Sequence, residues 1–90
     1  MNEKLFIKIS KALADKNRLA ILREISSRRT VSCEDLRNLV NLSQPTVSHH
    51  IKLLTDAELV LTEKDGRCLK LSVNQDQVDL FAGFLSEIKD

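Results

Sequence analysis

The run Leu42-Ser43-Gln44-Pro45-Thr46-Val47-Ser48-His49-His50-Ile51-Lys52-Leu53-Leu54 constrains this chain more than any other stretch. Val47, Ile51 and Leu54 recur at i, i+4 and i+7, the spacing of one helix face. Ser43 suits the N-cap, and Pro45 fits a first turn whose N–H groups have no helical partner. At about 100° per residue, Pro45, Ser48, His49, Lys52 and Asp56 point away from that stripe, with Thr46 on its flank. Apart from Asp56, this face carries hydroxyls and nitrogens but no carboxylate. A face that only meets water usually mixes Glu with Lys. A face meant for base edges and phosphates needs donors without carboxylates.

The flanking residues extend this reading. Ser32-Cys33-Glu34-Asp35 has the S-x-x-D form of a capping box and opens a second helix through Leu36, Leu39 and Val40. Only Asn41 and Leu42 then separate the two helices. Downstream, residues 60–63 and 67–73 are rich in strand formers and flank Lys64-Asp65-Gly66. Asp-Gly is a favoured two-residue turn because both central positions of a type I′ turn need positive φ. A helix–turn–helix followed at once by a short hairpin with a basic tip is the order of a winged helix.

Residues 3–14 form one broad apolar helical face through Leu5, Phe6, Ile9, Ala12 and Leu13. Asp15 suits the N-cap of a helix from Lys16 to about Ser26 that buries Leu19, Leu22 and Ile25. Thr30-Val31 is suited to add a short strand to the wing. A last helix, about Gln75 to Lys89, places Val78, Phe81, Leu85 and Ile88 on one stripe, with Leu80 and Phe84 beside it. The expected class is therefore mainly α with a small β-hairpin wing: about five helices and two strands in a single domain spanning residues 1–90.

A chain of 90 residues builds only a modest core, so pairing that buries more apolar surface favours stability. The last helix is apolar on two flanks, more than one small core needs. The terminal helices of two chains are expected to pack together, with Lys4, Lys8 and Lys11 facing Asp76, Asp79 and Glu87. The alternative is that both flanks cover their own domain. Net charge is only +1 and argues nothing for nucleic acid. Its distribution is uneven: residues 1–30 hold eight basic and three acidic side chains, residues 31–90 six and ten. No apolar run approaches the ~20 residues of a membrane span, and Lys4, Lys8 and Lys11 interrupt any signal-like start. Two cysteines without secretory context fit reduced thiols in the cytoplasm.

The segments Ala12-Leu13-Ala14-Asp15-Lys16-Asn17-Arg18-Leu19-Ala20-Ile21-Leu22, residues 42–54, Leu59-Val60 and Asp65-Gly66-Arg67 resemble, in this order, the ArsR/SmtB-type bacterial repressors. The resemblance implies a homodimeric winged helix that binds an inverted-repeat operator in duplex DNA and represses transcription. It implies that the helix at 43–54 enters the major groove, with Ser43, Gln44, Thr46, Ser48 and His49 near base edges or phosphates. Lys52 and the wing-tip Lys64 and Arg67 would contact the backbone. The family commonly carries Arg where His49 stands, and neutral His makes a weaker phosphate or guanine contact. His49 and His50 point about 100° apart, which assigns His49 to the groove and His50 to packing and local hydrogen bonds.

Metal-sensing relatives place a Cys-x-Cys pair at the start of the first helix of the helix–turn–helix. Aligned on Leu36 and Leu42-Ser43-Gln44, those places hold Ser32 and Glu34, with Cys33 between them. The family's other metal site uses Asp and His on the last helix, and no His follows His50. Neither site transfers, so no metal and no cofactor is expected. Cys33 would lie in a helix first turn, where the dipole favours thiolate, while strand alternation turns Leu69, Leu71 and Val73 inward and Cys68 outward. A repressor sensing redox through Cys33 and Cys68 stays open, as does a winged helix used only for protein contact. An enzyme is not expected: there is no Gly-rich phosphate loop, and Ser48 and His49 at i, i+1 cannot pair as nucleophile and base.

Overall fold

A computed structural model describes residues 1–40 and 42–88. Asn41, Lys89, Asp90 and the side chains of Leu39, Val40 and Asp65 lie outside the described residues, and so do the expectations that fall on them. The chain runs α1 (Glu3–Leu13), α2 (Lys16–Arg28), β1 (Val31–Ser32), α3 (Cys33–Val40), α4 (Gln44–Asp56), β2 (Val60–Asp65), β3 (Cys68–Val73) and α5 (Gln75–Ile88). This is the mainly α winged helix expected from the sequence.

Each helix starts where a short polar side chain takes up an orphan backbone N–H. Asn2 Oδ1 accepts from Leu5 N at 2.7 Å, and Asp15 Oδ1 from Asn17 N at 2.8 Å and Arg18 N at 3.0 Å. Ser32 Oγ accepts from Asp35 N at 3.0 Å, the first half of the expected capping box. Ser43 Oγ accepts from Thr46 N and Asn74 Oδ1 from Gln77 N, both at 3.4 Å.

The wing is a three-stranded antiparallel sheet of order β1-β3-β2 rather than a bare hairpin. Its extra strand is Val31–Ser32, one residue later than Thr30-Val31, with Val31 opposite Leu71 and both buried. The hairpin turn is also one residue later than expected. Asp65 pairs with Cys68, which leaves Gly66-Arg67 as the two-residue loop. Gly66 has φ +64, whereas Arg67 is not left-handed, the Gly-first pattern of a type II′ turn. The core fixes this register. Val60 and Leu71 must both face inward, and a slip of one residue would turn one of them out.

Ile9, Ile21, Ile25, Leu36, Leu54, Leu59 and Leu71 are the large side chains sealed at the centre. Two sequence expectations fail here. Leu19 is 43% exposed, because Arg18 lies on the inner stripe of α2 with Ile21, Leu22 and Ile25. Arg18 turns inward to hydrogen-bond: its Nε donates to Ala12 O at 2.7 Å, and its Nη1 reaches His50 Nδ1 at 3.3 Å. Leu69 keeps the inward direction of its alternation but is 44% exposed, since the hairpin extends past the helical body.

Helix α5 is fastened at its start. Gln77 is buried, and its Nε2 donates to Ala57 O at 3.3 Å. Asn74 Nδ2 donates to Glu58 O at 3.0 Å, and Asn74 N to Leu59 O at 2.9 Å. Farther along, Phe6 of α1 stacks on Phe81 at 4.8 Å and meets Phe84 at 4.6 Å. These rings join α1 to α5 within one chain. The expected approach of the first helix to the last is thus made within one chain. Leu80, Leu85 and Ile88 remain 53%, 52% and 61% exposed. Among the described residues, the ion pairs within 4.0 Å are Arg18–Asp15, Arg28–Glu24 and Lys52–Asp56, so the expected lysine–carboxylate match between terminal helices is not formed inside the chain.

Candidate nucleic-acid interface

Helix α4 is seated by Val47, His50, Ile51 and Leu54, all buried. Gln44, Pro45, Thr46, Ser48, His49 and Lys52 are exposed along the rest of its length. One face is therefore held by the core while the other is polar and carboxylate-free as far as Lys52. His50 is part of that seat. Because a guanidinium only donates, His50 Nδ1 is the acceptor in the Arg18 contact.

The outward residues are not equally free. Ser43 Oγ lies 2.8 Å from Thr46 Oγ1, so these two hydroxyls form the helix cap together. Lys52 Nζ is held by Asp56 Oδ2 at 2.9 Å on an exposed surface, a contact worth about 0–1 kcal/mol. Arg37 Nη1, from the last turn of α3, donates to Gln44 Oε1 at 2.9 Å. Sequence reading missed Arg37. The signal was its place one turn before a tight connection, which brings it over the first residue of the next helix.

The wing stands against the start of α4. A cleft of about 380 Å³ separates them, lined by Cys33, Arg37, Gln44, Ser48, Arg67 and Cys68 among others. Lys64 lies directly opposite Leu69 and shares its face of the hairpin. Arg67 occupies the turn, and both cations are exposed. The two thiols thus border one cleft. Burial pushes the Cys33 thiol up, against the thiolate expected from its place at a helix start. Cys68 is exposed, as its strand alternation predicts. Asp15, by contrast, is held below the usual carboxylate value, first by the backbone N–H of Arg18.

The helix-turn-helix domain family matches residues 13–63, more than half of the chain. The arsenical resistance operon repressor of Staphylococcus xylosus is 42% identical over 71 residues, covering 79% of this chain and 67% of that protein. The crystal structure of the ArsR family transcriptional regulator RHA00566 superposes with a TM-score of 0.86 at 25% identity, covering 99% of this chain and 91% of that one.

This chain belongs to the ArsR family.

It is a DNA-binding transcriptional repressor and not an enzyme. The solution structure of a homodimeric winged helix-turn-helix domain from Mycobacterium bovis shares the ArsR-type fold, with a TM-score of 0.78 at 22% identity over 96% of this chain and 80% of that one. Among the described residues of this ArsR-family chain, no three His, Cys, Asp or Glu side chains gather as a metal-binding group. No helix among them is long and apolar enough to cross a membrane.

Proposed function

We propose that this repressor acts in the cytoplasm as a homodimer that places α4 of each chain in successive major grooves of an inverted-repeat operator. The observation that carries this reading is the exposed face of α4. It is capped at its start, free of carboxylates as far as Lys52 and bordered by the wing-tip cations. Ser48 and His49 read base edges, and Gln44 joins them at the helix start. Ser43 and Thr46 offer a capped first turn to a phosphate, and Lys52, Lys64 and Arg67 contact the backbone. Two-fold symmetry of the protein then requires two-fold symmetry in the DNA. Exposed Leu80, Leu85 and Ile88 on α5 supply the seam between chains, and the homodimeric neighbour of the same fold supports this arrangement.

The test is selection of duplexes from a random library by the purified chain, followed by affinity measurements across salt. Enriched inverted repeats whose log K falls linearly with log salt are expected. Retention without preferred sequence, or binding indifferent to salt, would refute the reading.

One observation favours a second reading. Cys33 and Cys68 border the same cleft beside Gln44 and Ser48, so their oxidation would alter the reading surface. The raised Cys33 value opposes it, because the thiolate is the reactive form. Operator affinity measured across a peroxide titration decides between them.

A further inference from the structure

The contact between Arg37 and Gln44 fixes more than the distance between two helices. A guanidinium has donors only, so the end of the Gln44 amide that meets Arg37 Nη1 at 2.9 Å must be the oxygen. Oε1 is thereby turned towards α3, and the two N–H bonds of Nε2 are left for whatever lies outside. Gln44 is the first residue of α4 and is exposed. A groove-reading helix presents its N-terminal residues to base edges.

We infer that Arg37 is a positioning residue that sets the polarity of Gln44 and so selects the base it reads, guanine over adenine. This rests on α4 being the groove-reading helix, as proposed above. An unrestrained Gln reads adenine with both amide ends: Oε1 accepts from N6 while Nε2 donates to N7. That geometry requires both ends to point into the groove, which means turning Oε1 off Arg37. With Oε1 retained, Gln44 offers two donors. Guanine presents two adjacent acceptors, N7 and O6, and takes both. Adenine opposes them with its own N6 donor, and cytosine with its N4 donor. Arg37 itself touches no base in this scheme. Arg37 also lines the cleft shared with Ser48 and Arg67.

The experiment uses the full chain in four forms: unaltered, Arg37→Met, Gln44→Ala and the double variant. Duplex selection locates the base pair whose preference Gln44→Ala abolishes. Affinities are then measured with guanine, adenine or 7-deazaguanine at that position. The unaltered chain should prefer guanine to adenine by about 5- to 150-fold, and 7-deazaguanine should lose much of that advantage. Arg37→Met should collapse or invert the ratio, and should leave it unchanged when Gln44 is already Ala. A ratio untouched by Arg37→Met, with only melting temperature or overall affinity falling, would reduce the contact to a clip between helices and overturn the inference. So would an adenine preference in the unaltered chain. If the unaltered chain selects no sequence at all, the groove-reading proposal itself fails, a result distinct from either.

Discussion

Helices α4 and α5 are nearly equal in length, 13 and 14 residues, yet they treat their exposed faces in opposite ways. Helix α4 buries four side chains along its stripe and shows water hydroxyls, an amide, an imidazole and an ammonium. Helix α5 buries Gln77 and leaves Leu80, Leu85 and Ile88 more than half exposed. A polar face is at ease in water until a polar partner of matching pattern arrives. An apolar face is uneasy from the start, so its partner contributes to stability as well as to function. In the proposed reading, the polar face serves recognition and the apolar one assembly.

The sharpest way to break this contrast is to make the exposed flank of α5 resemble that of α4. Leu80→Glu combined with Leu85→Glu should leave each chain cooperatively folded, because neither residue is in the core. It should give monomers in sedimentation and lower operator affinity by about 10²–10⁴-fold, since two half-sites are no longer held together. A variant that still sediments as a dimer would place the seam elsewhere. Next in size is Phe81→Ala. It removes a ring stacked on Phe6 inside the chain, and should cost about 1.5–3 kcal/mol of protomer stability in denaturant unfolding. Loss of dimer without loss of protomer stability would contradict the intrachain packing.

On α4 the predicted effects are specific rather than global. His49→Ala should change discrimination between bases by about 1–3 kcal/mol, whereas Lys64→Ala and Arg67→Ala should weaken all duplexes alike. Each of those two should also flatten the log K against log salt slope by about 0.9. An unchanged ratio of selected to random DNA for His49→Ala would remove it from base reading. Asp15→Asn offers a smaller test, through pH. The carboxyl of Asp15 is held below its ordinary 3.8, so the folded state prefers it ionised. Its contribution is complete above that value and lost as pH falls through the folded value. The stability gap between the unaltered chain and Asp15→Asn should therefore close below pH 3.8, as followed by thermal melts. The least effect is expected from thiol chemistry. Iodoacetamide at neutral pH should label exposed Cys68 before Cys33, whose thiol burial pushes up. Equilibrium dialysis should find no arsenite held tightly per chain; one bound ion lost in Cys33→Ser would reverse that.

Much of α4 was legible because its signals agree. The stripe of Val47, Ile51 and Leu54, the cap at Ser43 and Pro45 in the first turn all specify one helix in one orientation. The outward direction of His49 and the inward one of His50 followed from the same wheel. Legibility failed where a side chain's partner lies far along the chain. Arg18 had no place in the predicted core, yet its guanidinium turns inward by satisfying a carbonyl of α1 and a ring nitrogen of α4. Leu19 then took the place in the predicted core that belongs to Ile21. Strand alternation gave Leu69 the right direction but could not say that the hairpin runs beyond anything able to cover it. The Asp65-Gly66 signal was local, and the core-imposed register outweighed it by one residue.

The fastening of α5 to the end of α4, through Gln77 on Ala57 O and Asn74 on Glu58 O, bears on the DNA rather than on the protein. In the proposed dimer, where α5 joins two chains and is also anchored beside each reading helix, the pair becomes a ruler. The gap it measures is set by side-chain amides bonded to backbone carbonyls and not by a pliable tether. Spacer length in the operator should then matter as strictly as its sequence. Inserting about 5 base pairs would turn one half-site to the far side of the duplex, where the second reading helix no longer meets it.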